Sequence, residues 1–171
     1  SSEIKYRYKA IQRMERFTVA SPLGSLTVTL DGNNVTRLEF PHSLRNGKIT
    51  QSAGTPASPA GVRVATTLET YFACGDLGVL KLSPDGTAFQ QRVWEVLRAV
   101  PVGETATYGE LAARAGAPRA SRAVGQACAR NPIPVLIPCH RAVGASGPGG
   151  WSGLPGAKEW LLEHEASRAE E

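Results

Sequence analysis

The chain has 171 residues, room for one domain or two small ones. With 42% apolar and 20% charged residues it can bury a core, which excludes disorder along its whole length, and no apolar run is long enough to span a bilayer. The net charge of +4 is a mild pointer to a polyanionic partner.

Residues 1–13 are polar and basic with no clear period. Met14, the only methionine, reads as a natural start with a non-native extension before it. Arg16 to Phe40 reads as β structure. Leu26 to Leu30 alternates apolar and polar residues, Asp31-Gly32-Asn33-Asn34 supplies a turn, and Val35 to Phe40 returns. Residues 41–61, rich in Ser, Pro, Gly and Thr, read as a surface loop or mobile linker. Val62 to Phe72 has helical period, with Val62, Ala65, Leu68 and Phe72 on one side, and Val79 to Leu82 reads as a short strand.

After Gly86 the pattern turns helical. Phe89, Val93, Val96, Leu97 and Val100 form one core stripe, ended by Pro101 and Gly103. Tyr108 to Ala115 and Arg119 to Ala129 read as two helices split by Gly116-Ala117-Pro118, the arithmetic of a helix-turn-helix. A glycine-rich loop, Gly144 to Gly156, precedes a last helix, Ala157 to Glu165.

Between Leu111 and Arg141 every charged side chain is an arginine: Arg114, Arg119, Arg122, Arg130 and Arg141. Guanidinium groups favour planar contacts to phosphates and bases, although a solvated basic face is the plainer reading. Ala120, Ser121, Ala123, Gly125 and Ala127 are small enough for that helix backbone to approach a nucleic-acid groove or to pack tightly.

Cys74, Cys128 and Cys139 are odd in number and widely spaced, which supports neither a disulfide framework nor a zinc ribbon. His42, His140 and His164 show no i, i+4 spacing, so no metal site is expected. A reducing compartment fits, and the opening residues do not read as a secretory leader; a cytoplasmic location is expected, or a nuclear one in a eukaryote. The sharpest signal is Asn131-Pro132-Ile133-Pro134-Val135-Leu136-Ile137-Pro138-Cys139-His140-Arg141. An apolar, strand-like run ends at Pro138 and then presents a thiol, an imidazole and a guanidinium. A lone cysteine beside apolar residues is usually structural. A base beside it and a cation beyond form the environment that lowers a thiol pKa. Direct contact between Cys139 and His140 needs a turn, or a water between them.

Pro-Cys-His-Arg after Asn-Pro resembles the active-site signature of the O6-alkylguanine-DNA alkyltransferases, the methylated-DNA–protein-cysteine methyltransferases. The match runs from about Gly86 to Glu165. It includes Gly86 to Trp94, Gly103 to Tyr108, Arg122-Ala123-Val124-Gly125 and Lys158 to Glu165, while Ser21 to Gly24 and Tyr71-Phe72 echo the family's amino-terminal half. The resemblance implies an α+β fold. A small ribonuclease H-like sheet-plus-helix domain would span residues 1–84, with a flexible loop at 41–61. A mostly helical, winged helix-turn-helix-like domain would span 85–171.

The resemblance also implies a DNA-repair protein that flips O6-alkylguanine, mainly methylguanine, out of duplex DNA and takes the alkyl group once onto its own cysteine. Cys139 matches the acceptor, His140 the residue that deprotonates it through a water, Glu165 the carboxylate that orients the histidine, and Asn131 the support of the active-site turn. Tyr108 matches the residue at guanine N3 and Ser152 the one next to O6, with the backbone around Cys139 and Ala142 reading the exocyclic amine. Arg122 matches the arginine that fills the gap left by the base. The helix carrying it would enter the minor groove, with Arg119, Ala120, Ser121 and Arg130 at the DNA. Trp151 departs from the tyrosine common in the substrate loop and is read as a pocket wall, or as a core residue under that loop. No cofactor, no metal, no obligatory protein partner and a monomer are expected. A recognition module that binds the lesion without transfer is the alternative, and Cys139 argues against it.

Overall fold

The computed structural model describes residues 2–5, 14–41, 54–151 and 153–169. Three strands, β1 (Met14–Ser21), β2 (Gly24–Asp31) and β3 (Asn34–Glu39), form an antiparallel sheet in chain order. The β2–β3 connection is a two-residue turn with Gly32 at φ 59, a left-handed first position that glycine takes without a Cβ clash. Phe17, Val19, Leu26, Val28, Leu30, Val35 and Leu38 are buried along the sheet, as the alternation predicts. Thr27 and Thr29 are also nearly covered, so this sheet is not open to solvent on its second face along β2.

Helix α1 (Pro59–Cys74) packs on β1. It starts earlier than the period of Val62 to Phe72 indicates, because Ser58 caps it, accepting from Gly61 N at 2.9 Å, and Pro59 is tolerated at the first position. Glu15 on β1 accepts from the backbone N–H groups of Ala57 and Ser58 at 2.8 and 3.1 Å and from the Ser58 hydroxyl. The Ser/Pro run is therefore a helix start and an anchor at its carboxyl end, not loop throughout; residues 42–53 lie outside the described residues. The buried stripe is Val64, Ala65, Leu68 and Tyr71, whereas Val62 is exposed and Phe72 only half-buried.

The expected strand at Val79 to Leu82 is not formed. Only Leu82 makes an isolated parallel bridge, to Val35, and Val79 is 97% exposed. β3 has an open edge there for a single residue, with Val35 N donating to Lys81 O and Ser83 N to Val35 O.

The second half is built from α2 (Ala88–Arg98), α3 (Tyr108–Arg114), α4 (Ser121–Ala129) and α5 (Ala157–Ala169). No helix among the described residues is long and apolar enough to cross a membrane. Thr87 and Gln90 form a reciprocal capping box at the start of α2, and Thr107 with Glu110 do the same for α3. Trp94 donates from Nε1 to Ala127 O at 2.9 Å, locking α2 against α4. α3 and α4 are the expected helix-turn-helix pair. α4 begins two residues later than Arg119, since Ala120 has left helical geometry and caps nothing with its side chain.

The apolar run before Cys139 is a tight turn and not a strand. Pro132, Pro134 and Pro138 remove the N–H groups a ladder needs, and Pro134 bridges Ile137 across the turn. Val135 is held at φ 73, a conformation that a β-branched side chain adopts only when its surroundings impose it. The chain then makes one 3-10 turn, Cys139–Arg141, and a two-residue strand β5 (Ala142–Val143) that pairs in parallel with β4 (Ala106–Thr107).

Replacing Thr87 by Ala removes the hydroxyl that accepts from Gln90 N and leaves the bond from the residue-87 backbone N–H to the Gln90 side chain in place. The expected cost is about 1 kcal/mol, read in urea as a lower unfolding midpoint with an unchanged slope.

Candidate active site

β4 ends at Thr107 and α3 starts at Tyr108, so the β4–β5 pairing sets Tyr108 beside the Cys139–Arg141 turn. The turn is braced by Asn131. Its amide donates to Ile137 O at 2.9 Å while its carbonyl oxygen accepts from Ile133 N at 2.9 Å. The sheet reaches the same segment, with Leu38 N donating to Pro132 O at 3.0 Å.

Cys139 is 6% exposed and opens onto a cavity of about 760 Å³. The cavity is walled by Tyr108, Asn131 and Trp151, by Gly125, Cys128 and Ala129 of α4, by Arg37 to Glu39 of β3 and by Phe40 just after it. Trp151 is fixed by Nε1 donating to Leu154 O at 3.1 Å and by an edge contact with Phe40 at 6.5 Å. Gly149 lies so close to Tyr108 that a Cβ would come within 2.7 Å of the phenol oxygen, which explains glycine there. Arg122 precedes Gly125 by three residues and Ala129 by seven, the spacing of one helix face. The exposed Arg122 is thus on the face of α4 that walls the cavity. Arg114, Arg119 and Arg130 are exposed as well, with Ser121 exposed and Ala120 half-buried at the start of α4. Ser152 lies outside the described residues. Ala142 is buried behind the turn, off the cavity wall, and its carbonyl accepts from Lys158 Nζ at 2.7 Å.

Behind Cys139 lies a buried polar cluster. His140 Nε2 is 2.8 Å from Glu165 Oε2. A carboxylate can only accept, so the ring proton is on Nε2 and Nδ1 keeps its lone pair. Nδ1 is buried, with no hydrogen-bond partner among the described residues. Burial lowers the His140 pKa further than the pull of Glu165 raises it, so the ring is a neutral base.

Arg141 does not join the basic surface expected of it. It is 3% exposed, donating from Nε to Glu165 Oε1 at 2.8 Å, from Nη2 to Oε2 at 3.0 Å and from Nη1 to Val100 O at 2.7 Å. Tyr71 of α1 donates its hydroxyl to the same Oε2 at 2.7 Å. Burial pushes the Glu165 carboxyl up, but the hydrogen bonds from His140 and Arg141, with the Arg141 charge, outweigh it and hold it at about 2.

The thiol departs from the sequence expectation. Burial pushes Cys139 up to about 11, against the lowering from hydrogen bonds of Asn131 and its own turn and from the Lys158 charge. The cation beyond the cysteine is spent on Glu165, so it does not depress the thiol. Lys158, to which the sequence alone assigns no role, is 1% exposed and also donates to Gly150 O at 3.2 Å. A lysine in the first turn of a helix opposes the helix dipole, a usable sign that something else holds it. Cys128 lines the same cavity, pushed up to about 12 by burial and then by the Cys139 charge. Tyr108 is likewise raised, by burial first, and stays a neutral donor.

The pH dependence of folding follows. His140 is held below its ordinary 6.5, so stability is full above about 6.5 and declines as the pH falls through that value. Glu165 is held at about 2 against an ordinary 4.5, so its contribution is lost as the pH falls from about 4.5 towards 2. Melting temperature measured from pH 7 to 2 should fall in these two stages. Glu165→Gln should abolish the second and already be about 3–5 kcal/mol less stable at pH 7, because Arg141 stays buried without its carboxylate.

Residues 88–167 match the model of the 6-O-methylguanine DNA methyltransferase DNA-binding domain. A methylated-DNA–protein-cysteine methyltransferase of Mycobacterium bovis is 43% identical over 155 residues, covering 89% of this chain and 92% of the relative. One from Methanosarcina acetivorans is 54% identical over 104 residues, covering 58% of this chain and 65% of the relative. The crystal structure of Mycobacterium tuberculosis O6-methylguanine methyltransferase superposes with a TM-score of 0.79 at 39% identity, covering 91% of this chain and 94% of that one. The M. tuberculosis OGT in complex with DNA gives 0.75 at 40% identity, with 90% and 94% covered. With relatives and solved structures of this kind matching nine-tenths of its length at about 40% identity, over a fold that carries a helix-turn-helix and a buried cysteine beside a histidine–glutamate pair, this chain belongs to the methylated-DNA–protein-cysteine methyltransferase family.

Proposed function

We propose that the chain repairs duplex DNA by moving the O6-alkyl group of guanine, mainly methyl, once and irreversibly onto Cys139. The observation that carries this is the thiol at a cavity walled by α4, with the His140–Glu165 pair behind it. The α4 face bearing Arg122 binds the minor groove, and the extruded base enters the cavity between Tyr108 and Trp151. Arg119, Ala120, Ser121 and Arg130 meet the phosphates and sugars. Arg122 fills the gap in the stack, a task suited to a planar guanidinium.

At neutral pH a thiol of pKa near 11 is protonated, so a base must act during the reaction. The Cys139 proton passes through one water to His140 Nδ1. The imidazolium that forms is stabilised by Glu165. The sulfur attacks the alkyl carbon, the S–C bond forms as the C–O6 bond breaks, and the guanine leaves as an anion with its N3 hydrogen-bonded by the Tyr108 hydroxyl. The resemblance assigns Ser152 to O6 and the backbone at Cys139 and Ala142 to the exocyclic amine; Ala142 sits behind the cavity wall with its carbonyl accepting from Lys158, so the carbonyl's second lone pair is what it would offer the base. Asn131 keeps the turn in place. The sulfur is both nucleophile and final acceptor, so the chemistry asks for no cofactor and each molecule, acting as a monomer, works once.

Mass spectrometry after incubation with an O6-methylguanine duplex tests this. One methyl per protein, mapped to Cys139 and absent from Cys139→Ala, is expected; a protein that clears many lesions, or a Cys139→Ala that still reacts, overturns it. In the same assay Arg122→Ala should slow duplex repair about ten-fold or more, since extrusion costs a few kcal/mol, while free O6-benzylguanine reacts at the parent rate.

A further inference from the structure

We propose that Tyr71, on α1 of the sheet half, is a positioning residue for thiol activation: its hydroxyl shares Glu165 Oε2 with His140 and thereby sets how strongly the carboxylate pulls on the imidazole. The assignment deepens the His140 relay proposed above and rests on it. Tyr71 comes from 94 residues away in sequence, and its side chain is fully buried. Its ring is held at 5.1 Å by Phe72 and at 5.4 Å by His164, whose Nε2 is 2.9 Å from Tyr71 O. A phenol is not required to fill this space, because a phenylalanine ring would pack equally well. Among the described residues the hydroxyl has one partner, and that partner is the carboxylate that faces the catalytic imidazole.

The physical effect has a definite sign. Oε2 accepts from Tyr71 and His140 and also from Arg141 Nη2. Each donor draws negative charge away from the oxygen that would stabilise an imidazolium. The phenol carries no charge itself, since burial, then the Glu165 charge, keep its proton firmly bound. Removing the hydroxyl leaves more charge on Oε2, so the His140 imidazolium becomes easier to form and neutral His140 is lost at a higher pH. The other charged or titratable groups facing this site are Arg141 on the same turn, Cys139 beside it, and Lys158 and Glu165 on α5. His164, also on α5, is the second imidazole in contact with Tyr71.

The test is the pH profile of benzyl transfer from free O6-benzylguanine, which needs no DNA and no base extrusion. In Tyr71→Phe the acid limb should move up by about half to one pH unit, a shift within the ordinary reach of one hydrogen bond to a carboxylate. Phe72→Leu, which loosens the same packing without touching Glu165, should leave the limb in place. Repeating the comparison in a His164→Gln background removes the other imidazole beside Tyr71, and the shift should persist. An unmoved limb in Tyr71→Phe with an unchanged melting temperature overturns this assignment alone, as does an equal shift in Phe72→Leu. Absence of any acid limb in the unaltered protein overturns the relay together with it. In the unaltered protein, the Tyr71 hydroxyl proton should also be protected from exchange and give a nuclear Overhauser cross-peak to the His140 Nε2 proton; a freely exchanging hydroxyl contradicts the assignment whatever the variants do.

Discussion

The Glu165 carboxylate is the point on which the rest of the molecule depends. It is 1% exposed and accepts from Tyr71, His140 and Arg141, which reach it from α1 and from the reactive turn while it is carried on α5 itself. A buried carboxylate without donors would take up a proton; this one stays ionised because its partners are in place. Stability and chemistry are coupled through it. Arg141 closes the cluster and contributes nothing to the basic surface, so the reactive turn is tied down by charge before any substrate arrives. The tie also spans the fold, since the sheet half supplies Tyr71 and the backbone bond from Leu38 to Pro132.

The same burial that orders the site keeps the thiol from ionising. A pKa near 11 leaves about one molecule in ten thousand as thiolate at neutral pH. A resting thiol would suit the proposed single use of the sulfur, because a free thiolate invites oxidation and stray alkylation. In the proposed relay, activation is confined to the moment when the alkylated guanine fills the cavity. Neutral His140, with its proton on Nε2 and a lone pair on Nδ1, is matched to that task, and Lys158 and Asn131 offset part of the cost of the developing negative sulfur.

Residues adjacent in sequence were the legible ones. Cys139, His140 and Asn131 announce themselves within a dozen positions, and the strand alternation with a Gly-Asn turn fixes the sheet. The helix-turn-helix follows from a glycine between two periodic runs. What stayed hidden depends on contacts between distant elements. Tyr71 looks like one more core aromatic until its hydroxyl meets Glu165, and Lys158 like a surface lysine until the Ala142 and Gly150 carbonyls enclose it. Arg141 reads as part of a basic run although its partner lies 24 residues downstream. The thiol differs from its sequence expectation for the same reason: Arg141 is its neighbour in sequence but spends its charge on Glu165. Local errors have local causes: Ser58-Pro59 is a helix cap inside a run that reads as loop, and the prolines around Ile133 to Ile137 turn an apolar strand pattern into a bend.

Whether the sulfur rests as a thiol or as a preformed thiolate decides between activation by a relay and activation by a depressed pKa. A titration of Cys139 followed by the 13C shift of its Cβ, in a protein carrying Cys74→Ser and Cys128→Ser so that only one thiol reports, makes that decision. A midpoint near 11 is expected. A midpoint at or below neutral pH would contradict it.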